Sequence, residues 1–413
     1  MKMSLYGSIF FLLLVNFHFF VEAINPEVYF NTEERIRKDG YPVELHPVST
    51  EDGYILNLYR IPYGLKEDKK NRSVILFVHG QSASPYHFTV LGRKIAPAYW
   101  FADRGYDVWL FCARGVDCQN PRKHKTLDWD RDQIYWDFSF DEIGLYDLSA
   151  SIDVVINKTG HNKIFSVCHS MGCSSVHALL AERPEYNKKL KININYAPMV
   201  VFKEFDYPLM IFFSYTSSLI KNISRILGHH LILPPSLIEM LTDTIRRLCG
   251  IQPWKNSCYT FLSVFGSRQS FLIQEDIAEL AVNGFPRLSV RQMTHLLDHI
   301  NKGEFRKYDY GIERNRVIYG RKFPPLYNLT LCSAPTAIFH GETDSLTDIQ
   351  NLQEMEKTMP NVILRYKVAG EFVHLDFIFA KNATNMLYKP TEKLLKDFDS
   401  GRIKLRESVK STI

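Results

Sequence analysis

The stretch IFSVCHSMGCSSVHALLAE, Ile164 to Glu182, decides the fold. A short apolar run predicts a strand, a tight turn is centred on Ser170, and the alanine- and leucine-rich remainder predicts a helix. This is the layout of a nucleophile elbow, whose usual pattern is G-x-S-x-G. Here it reads Cys168-His169-Ser170-Met171-Gly172, with cysteine in place of the first glycine.

Outward from the elbow, strands and helices alternate. SVILFVHG (Ser73–Gly80) is an unbroken apolar run, the mark of a strand buried on both faces. GYDVWLF (Gly105–Phe111) predicts the next strand. FSFDEIGLYDLSASIDVVINKTG (Phe138–Gly160) has helical spacing and ends in glycine. Leu190–Pro198 adds a strand, and the rhythm then breaks. From about Met199 to Leu331 only apolar helical segments are evident, which predicts an inserted, mostly helical cap. The alternation resumes with PTAIFHG (Pro335–Gly341), a helix near Asp348–Thr358, the strand VILRYKV (Val362–Val368) and a last helix from about Leu375. The fold class is therefore α/β: a mainly parallel sheet flanked by helices, with a cap between two of its strands. The expected organisation is a leader at 1–23, a core at 24–198 and 332–413, and a cap or lid at 199–331.

Composition sets bounds. Of 413 residues, 46% are hydrophobic and 23% charged, enough apolar material for a large core. The net charge of +5 is mild and gathers into no basic stripe, which argues against nucleic acid as a partner. The opening MKMSLYGSIFFLLLVNFHFFVEA has a lysine, a short apolar run and small residues before a cleavage point after Ala23. It reads as a secretory signal peptide. No later segment is long and apolar enough for a membrane anchor. Five N-x-S/T sequons agree with the secretory route: Asn71, Asn157, Asn222, Asn328 and Asn382. The destination is expected to be extracellular or lysosomal. Seven cysteines show no metal spacing, though Cys249 and Cys258 are close enough to bridge a local loop. His295 and His299, four apart without an intervening H-E-x-x-H glutamate, are expected on a helix surface. No metal or cofactor is expected.

A serine hydroxyl needs a base within reach and an acid to orient the base. On α/β-hydrolase sheets these follow in the order Ser, Asp or Glu, His. Asp344 lies just past a predicted strand end, with Glu342 and Asp348 as nearby alternatives. His374 lies in the loop after the following strand; His340 precedes the acid instead of following it. Both positions are outside the carboxyl ends of strands, where open α/β sheets place their sites. Oxyanion donors would be the N–H of Met171 and the N–H of Gln81 in His79-Gly80-Gln81. Cys168 is expected to be buried and unreactive, having no evident cationic neighbour.

These residues resemble the acid lipase family, the gastric and lysosomal lipases. HGQSAS is similar to the family's H-G-L-x-x-S, with Gln81 in place of leucine. DRGYDVWLFCARG resembles G-Y-D-V-W-L-G-N-x-R-G, and WDFSFDEIGLYDLSASID resembles W-x-F-S-x-D-E-x-x-x-Y-D-L-P-A-x-I-D. FRKYDYG and FPPLYNLT resemble late cap segments, and FVHLDFIFA resembles N-H-L-D-F. The resemblance covers nearly the whole mature chain, with the loop from Arg114 to Gln133 divergent. It implies an α/β-hydrolase fold and hydrolysis of neutral lipid esters, triacylglycerols or sterol esters, at an oil–water or membrane interface. It implies Ser170 as nucleophile, His374 as base, Asp344 as orienting acid, Gln81 and Met171 as oxyanion donors, and Cys249–Cys258 as the cap disulfide. The large apolar residues Met210, Ile211, Phe212, Phe213, Leu231 and Ile232 suit a lid that meets lipid. The other class to weigh is a catalytically weak lipid-binding or storage protein on the same fold.

Overall fold

The computed structural model describes residues 31–66, 71–116, 123–231, 244, 256–257 and 288–403. The expected signal peptide, the Cys249–Cys258 pair and Ile232 lie outside them.

Among the described residues nine strands form one sheet: β1 (Glu44–Ser49), β2 (Tyr54–Ile61), β3 (Val74–Val78), β4 (Asp107–Leu110), β5 (Lys123–His124), β6 (Ile164–His169), β7 (Leu190–Tyr196), β8 (Thr336–Gly341) and β9 (Val362–Val368). Their order is β1-β2-β4-β3-β6-β7-β8-β9, with β5 beside β2. The pairings from β4 to β9 are parallel; those made by β2 are antiparallel. This is the α/β-hydrolase fold. Successive β3 side chains point to opposite faces. Ile75 and Phe77 join one buried cluster with Tyr99 and Tyr388, whereas Val74, Leu76 and Val78 join another with Trp109, Trp136 and Leu179. The sheet is thus covered on both sides, which is why VILFV shows no polar alternation.

The principal helices are α1 (Thr32–Lys38), α2 (Pro97–Ala102), α3 (Ser149–Thr159), α4 (Met171–Glu182), α5 (Pro208–Ser214), α6 (Ser217–Leu227), α7 (Val290–Lys302), α8 (Ile312–Tyr319), α9 (Ile349–Thr358) and α10 (Lys389–Asp399). The single helix expected over Phe138–Gly160 is instead a short turn, a π-helical run Ile143–Leu148 and then α3. The wide turn packs against α4 at Gly144, where an added Cβ would lie 2.4 Å from the Ser175 carbonyl oxygen.

Between β7 and β8 the described residues carry α5, α6, α7 and α8. Two acids of the short turn Phe140–Glu142, Asp141 buried and Glu142 half-buried, tie this segment to the core. Asp141 accepts from the Tyr308 N–H at 3.0 Å and from the Tyr327 hydroxyl. Glu142 pairs with Arg291 of α7 at 2.6 Å. His295 and His299 are not surface residues: both are buried on α7, each with Nε2 within 2.9 Å of the Arg306 carbonyl oxygen. The His295 ring stacks on Phe140 at 4.2 Å. Their four-residue spacing gives one helix face, and that face turns inward because its rings pack as flat aromatics.

Candidate functional site

Ser170 caps α4 at the end of β6, with φ 56° and ψ −128°. Such a backbone is costly for a residue with a Cβ and persists only where neighbours hold it. Three hydrogen bonds do so: Ser170 N–H to the Tyr196 carbonyl at 3.0 Å, Cys173 N–H to the Ser170 carbonyl at 3.0 Å, and Met199 N–H to the same carbonyl at 3.3 Å. Gly172 is required on steric grounds. A Cβ there would lie 2.5 Å from the His79 carbonyl oxygen, so the loop after β3 could not approach the turn.

Ser170, His374 and Asp344 come together. The Ser170 hydroxyl is 2.8 Å from His374 Nε2, and His374 Nδ1 is 3.0 Å from Asp344 Oδ2. Donation from Nδ1–H to the carboxylate leaves Nε2 free to accept the serine proton. Glu342 and His340 stay outside this relay: Glu342 pairs with Lys367 at 2.9 Å, and His340 Nδ1 lies 3.2 Å from the Gly341 carbonyl. Asp348 caps α9. Burial alone would raise the Asp344 carboxyl, but the facing His374 and the Leu346 N–H at 2.9 Å outweigh it and hold it below the usual carboxylate range.

Two contacts were not legible in the sequence. His169 Nε2 lies 3.1 Å from the His374 carbonyl oxygen, fixing the loop that carries the proposed base. Burial holds this histidine neutral, down to about 3. Met199 Sδ lies 3.4 Å from the Ser170 hydroxyl, a position set by the chain leaving β7. No local spacing signals either one.

Met171 opens α4, so its N–H is one of the helix's unpaired amino-terminal donors. The Gln81 N–H donates to no group among the described residues. Gln81 lies beyond Gly80, whose Cα approaches so closely that an added Cβ would be 3.0 Å from Ser170 Cβ. Beside these groups opens a cavity of about 370 Å³, walled mainly by apolar side chains such as Met199, Met210, Phe213, Leu297 and Ile378.

Cys168 is buried, as expected, but it is not a free thiol. It is bonded to Cys173 on the first turn of α4, so the disulfide brackets Ser170 and Met171. Cys112 is also disulfide-bonded, and Cys332 is a free, buried thiol pushed up to about 12 by burial. Among the described residues no group of three or more His, Cys, Asp or Glu is placed to hold a metal ion. No described helix is long and apolar enough to cross a membrane. Of the sequon asparagines, Asn71, Asn157, Asn222 and Asn328 are exposed and Asn382 is half-buried.

Two family models match the chain: a partial alpha/beta-hydrolase lipase region over residues 32–92 and the alpha/beta hydrolase fold over 73–192. Lipase 3 of Drosophila melanogaster is 33% identical over 370 residues, covering 89% of this chain and 93% of the relative. Lysosomal acid lipase/cholesteryl ester hydrolase of Macaca fascicularis is 31% identical over 413 residues, 96% of this chain and 100% of the relative. Gastric triacylglycerol lipase of Homo sapiens is 31% identical over 386 residues, 90% and 92%. Among solved structures, lip1 of Acinetobacter baumannii AYE superposes with a TM-score of 0.51 at 14% identity, covering 91% of this chain and 99% of that one; it bears on the fold alone.

Proposed function

Because the chain belongs to the acid lipase family of α/β-hydrolases, we propose that it hydrolyses carboxylic esters of neutral lipids through an acyl-enzyme on Ser170. The observation that carries this reading is the Ser170–His374–Asp344 relay beside an apolar cavity. In the proposed reaction His374 Nε2 takes the serine proton as Oγ attacks the ester carbonyl. Asp344 holds the ring in the required tautomer and stabilises the imidazolium. The N–H groups of Met171 and Gln81 receive the charge that develops on the carbonyl oxygen. His374 returns the proton to the leaving alcohol; water then repeats the sequence and releases the acid.

A lipid interface as the place of work is supported by the outer side of α5 and α6. Phe212 is 65% exposed, Leu219 60% and Ile226 79%, an apolar surface of the kind that marks interaction sites. This segment, within 199–331, is the proposed lid, and activity should rise when ester passes from solution into emulsion. A secreted or lysosomal location, with exposed asparagines as glycan sites, is part of the same reading.

The test is Ser170→Ala. Hydrolysis of a short-chain nitrophenyl ester should fall by roughly four to six orders of magnitude, as for other members of such relays. A folded variant that keeps near-wild-type turnover would reject Ser170 as the nucleophile.

A further inference from the structure

No step of the proposed reaction uses the side chain of Met199, yet its Sδ lies 3.4 Å from the Ser170 hydroxyl. The hydroxyl has its base elsewhere, in His374 Nε2 at 2.8 Å. A thioether is a weak acceptor and has no proton to give, so it adds little to acyl transfer. It is nonetheless held in place. The Met199 N–H donates to the Ser170 carbonyl at 3.3 Å, and the Met199 carbonyl accepts from the Ser174 hydroxyl, so the backbone cannot carry the sulfur away. Met199 is 5% exposed and lines the cavity together with Ser170. An ester must bring its carbonyl carbon to Ser170 Oγ. A cavity that admits an ester that far also admits the much smaller hydrogen peroxide to the neighbouring sulfur.

Oxidation at this place falls to the thioether. Cys168 and Cys173 are already joined on either side of Ser170, and Cys112 is disulfide-bonded. Cys332 is buried with its thiol pushed up to about 12, so it offers almost no thiolate to an oxidant. Met199 has no such protection. A lone pair on Sδ attacks one oxygen of hydrogen peroxide. The S–O bond forms as the O–O bond breaks, and the departing oxygen leaves with both hydrogens as water. Sulfur is oxidised by two electrons and the peroxide is reduced by two. The apolar side chain becomes a polar sulfoxide. Its oxygen is a strong acceptor, one bond from a sulfur already beside the Ser170 hydroxyl. Facing the serine, it draws the hydroxyl proton away from His374. Facing the cavity, it takes the space the ester must enter. Either position blocks acyl transfer.

Resting on the reading of Ser170 as the nucleophile, we infer that Met199 is a modification site at which a hydroperoxide shuts off ester hydrolysis by adding one oxygen to the sulfur. Turning the hydroxyl from its base forfeits general-base catalysis, which is worth about 10²–10⁴-fold. One oxidised side chain therefore suffices. Met210 and Met293 line the same cavity, and substituting either leaves the contact between Met199 and Ser170 in place.

The experiment treats the purified full chain with a graded series of hydrogen peroxide near neutral pH. It uses the wild type, Met199→Leu, Met210→Leu and Met293→Leu. Each protein is scored by the fraction of its own starting nitrophenyl-ester hydrolysis that survives. Trypsin releases the segment Ile192–Lys203, whose one methionine is Met199, so the gain of one oxygen there is read by mass. Near-ultraviolet circular dichroism reports whether the chain stays folded. Wild type, Met210→Leu and Met293→Leu should each lose roughly tenfold or more, in proportion to the oxygen on Met199 and with the fold intact. Met199→Leu should keep most of its own activity at the same dose. Should Met199→Leu not fold, the proportionality in the wild type decides. Four results overturn the inference and leave the hydrolase reading intact: activity that persists once Met199 is oxidised, loss that comes only with unfolding, a Met199 that stays unoxidised, or equal loss in folded Met199→Leu. No ester hydrolysis by the untreated wild type overturns both.

Discussion

Cys168 and Cys173 close a six-residue loop around the proposed nucleophile, at a place where the family pattern has glycine at the first position. Closing so short a loop stabilises the fold by about 2 kcal/mol in the chain-entropy picture. The same turn is also held by the Tyr196, Cys173 and Met199 backbone bonds to Ser170, none of which needs sulfur. The double variant Cys168→Ala/Cys173→Ala should therefore unfold at lower denaturant, by about 2 kcal/mol, yet keep ester hydrolysis within roughly tenfold of wild type. Denaturant titration and a nitrophenyl-ester assay on the same preparation measure both. Loss of activity as complete as that of Ser170→Ala would bring cysteine chemistry into the mechanism. The sequence made the elbow legible because strand, turn and helix are local signals. It did not make the bridge legible, because two cysteines five apart pair only when a turn of this shape brings their side chains together.

The segment with the long family signature, Trp136 to Asp153, shows how elements hold one another. Arg114, in the loop after β4, is buried. Its backbone N–H reaches Asp147 at 2.9 Å, and its guanidinium reaches Asp147 at 2.7 Å and Asp52 at 2.6 Å while covering the Tyr54 ring at 3.9 Å. Asp147 is fully buried and belongs to the π-helical run. Removing Asp147 leaves the buried Arg114 with the half-exposed Asp52 as its one remaining carboxylate, and breaking such a buried pair costs up to about 3–5 kcal/mol. Asp147→Ala should lose about that much stability, whereas Arg114→Met with Asp147→Leu should lose less than Asp147→Ala alone. Equal losses would mean that packing, not charge pairing, sets the cost. The sequence displays these residues as a string that resembles a family. The reason for the string is tertiary: Asp141 and Asp147 meet Tyr308, Tyr327 and Arg114, from far along the chain. Periodicity cannot name such partners, just as it could not say which way the His295–His299 face turns. Strands that are apolar throughout were readable; their order, with β4 between β2 and β3, was not.

Over the whole molecule the buried histidines govern how stability responds to pH. Burial holds His79, His177 and His299 down to about 4 and His87 and His169 to about 3, and it drives His295 well below its ordinary value. An unfolded histidine takes its proton near 6.5. Above that pH both states are neutral and nothing is lost. As pH falls through 6.5 the unfolded chain binds protons that the folded chain refuses until about 4 or 3, so the unfolded state is favoured. Each histidine can remove up to about 1.4 kcal/mol per pH unit across that window. Asp141 and Asp147 act in the opposite sense. Burial and the nearby Glu142 raise the Asp141 carboxyl, and burial raises that of Asp147 despite Arg114, so both favour the folded state as pH falls from neutral toward the ordinary carboxylate range. Six histidines outweigh two carboxyls, and a native state typically holds only about 5–15 kcal/mol in reserve. The melting temperature should thus be highest near or above pH 7 and fall steeply between about pH 6 and pH 4. Thermal unfolding followed in buffers from pH 4 to pH 8 at constant ionic strength measures this. A profile of that shape would favour a neutral extracellular workplace over an acidic lysosomal one. A melting temperature that held or rose on going from pH 7 to pH 4.5 would mean that these rings gain protons without unfolding the chain, and would point to the acidic compartment instead.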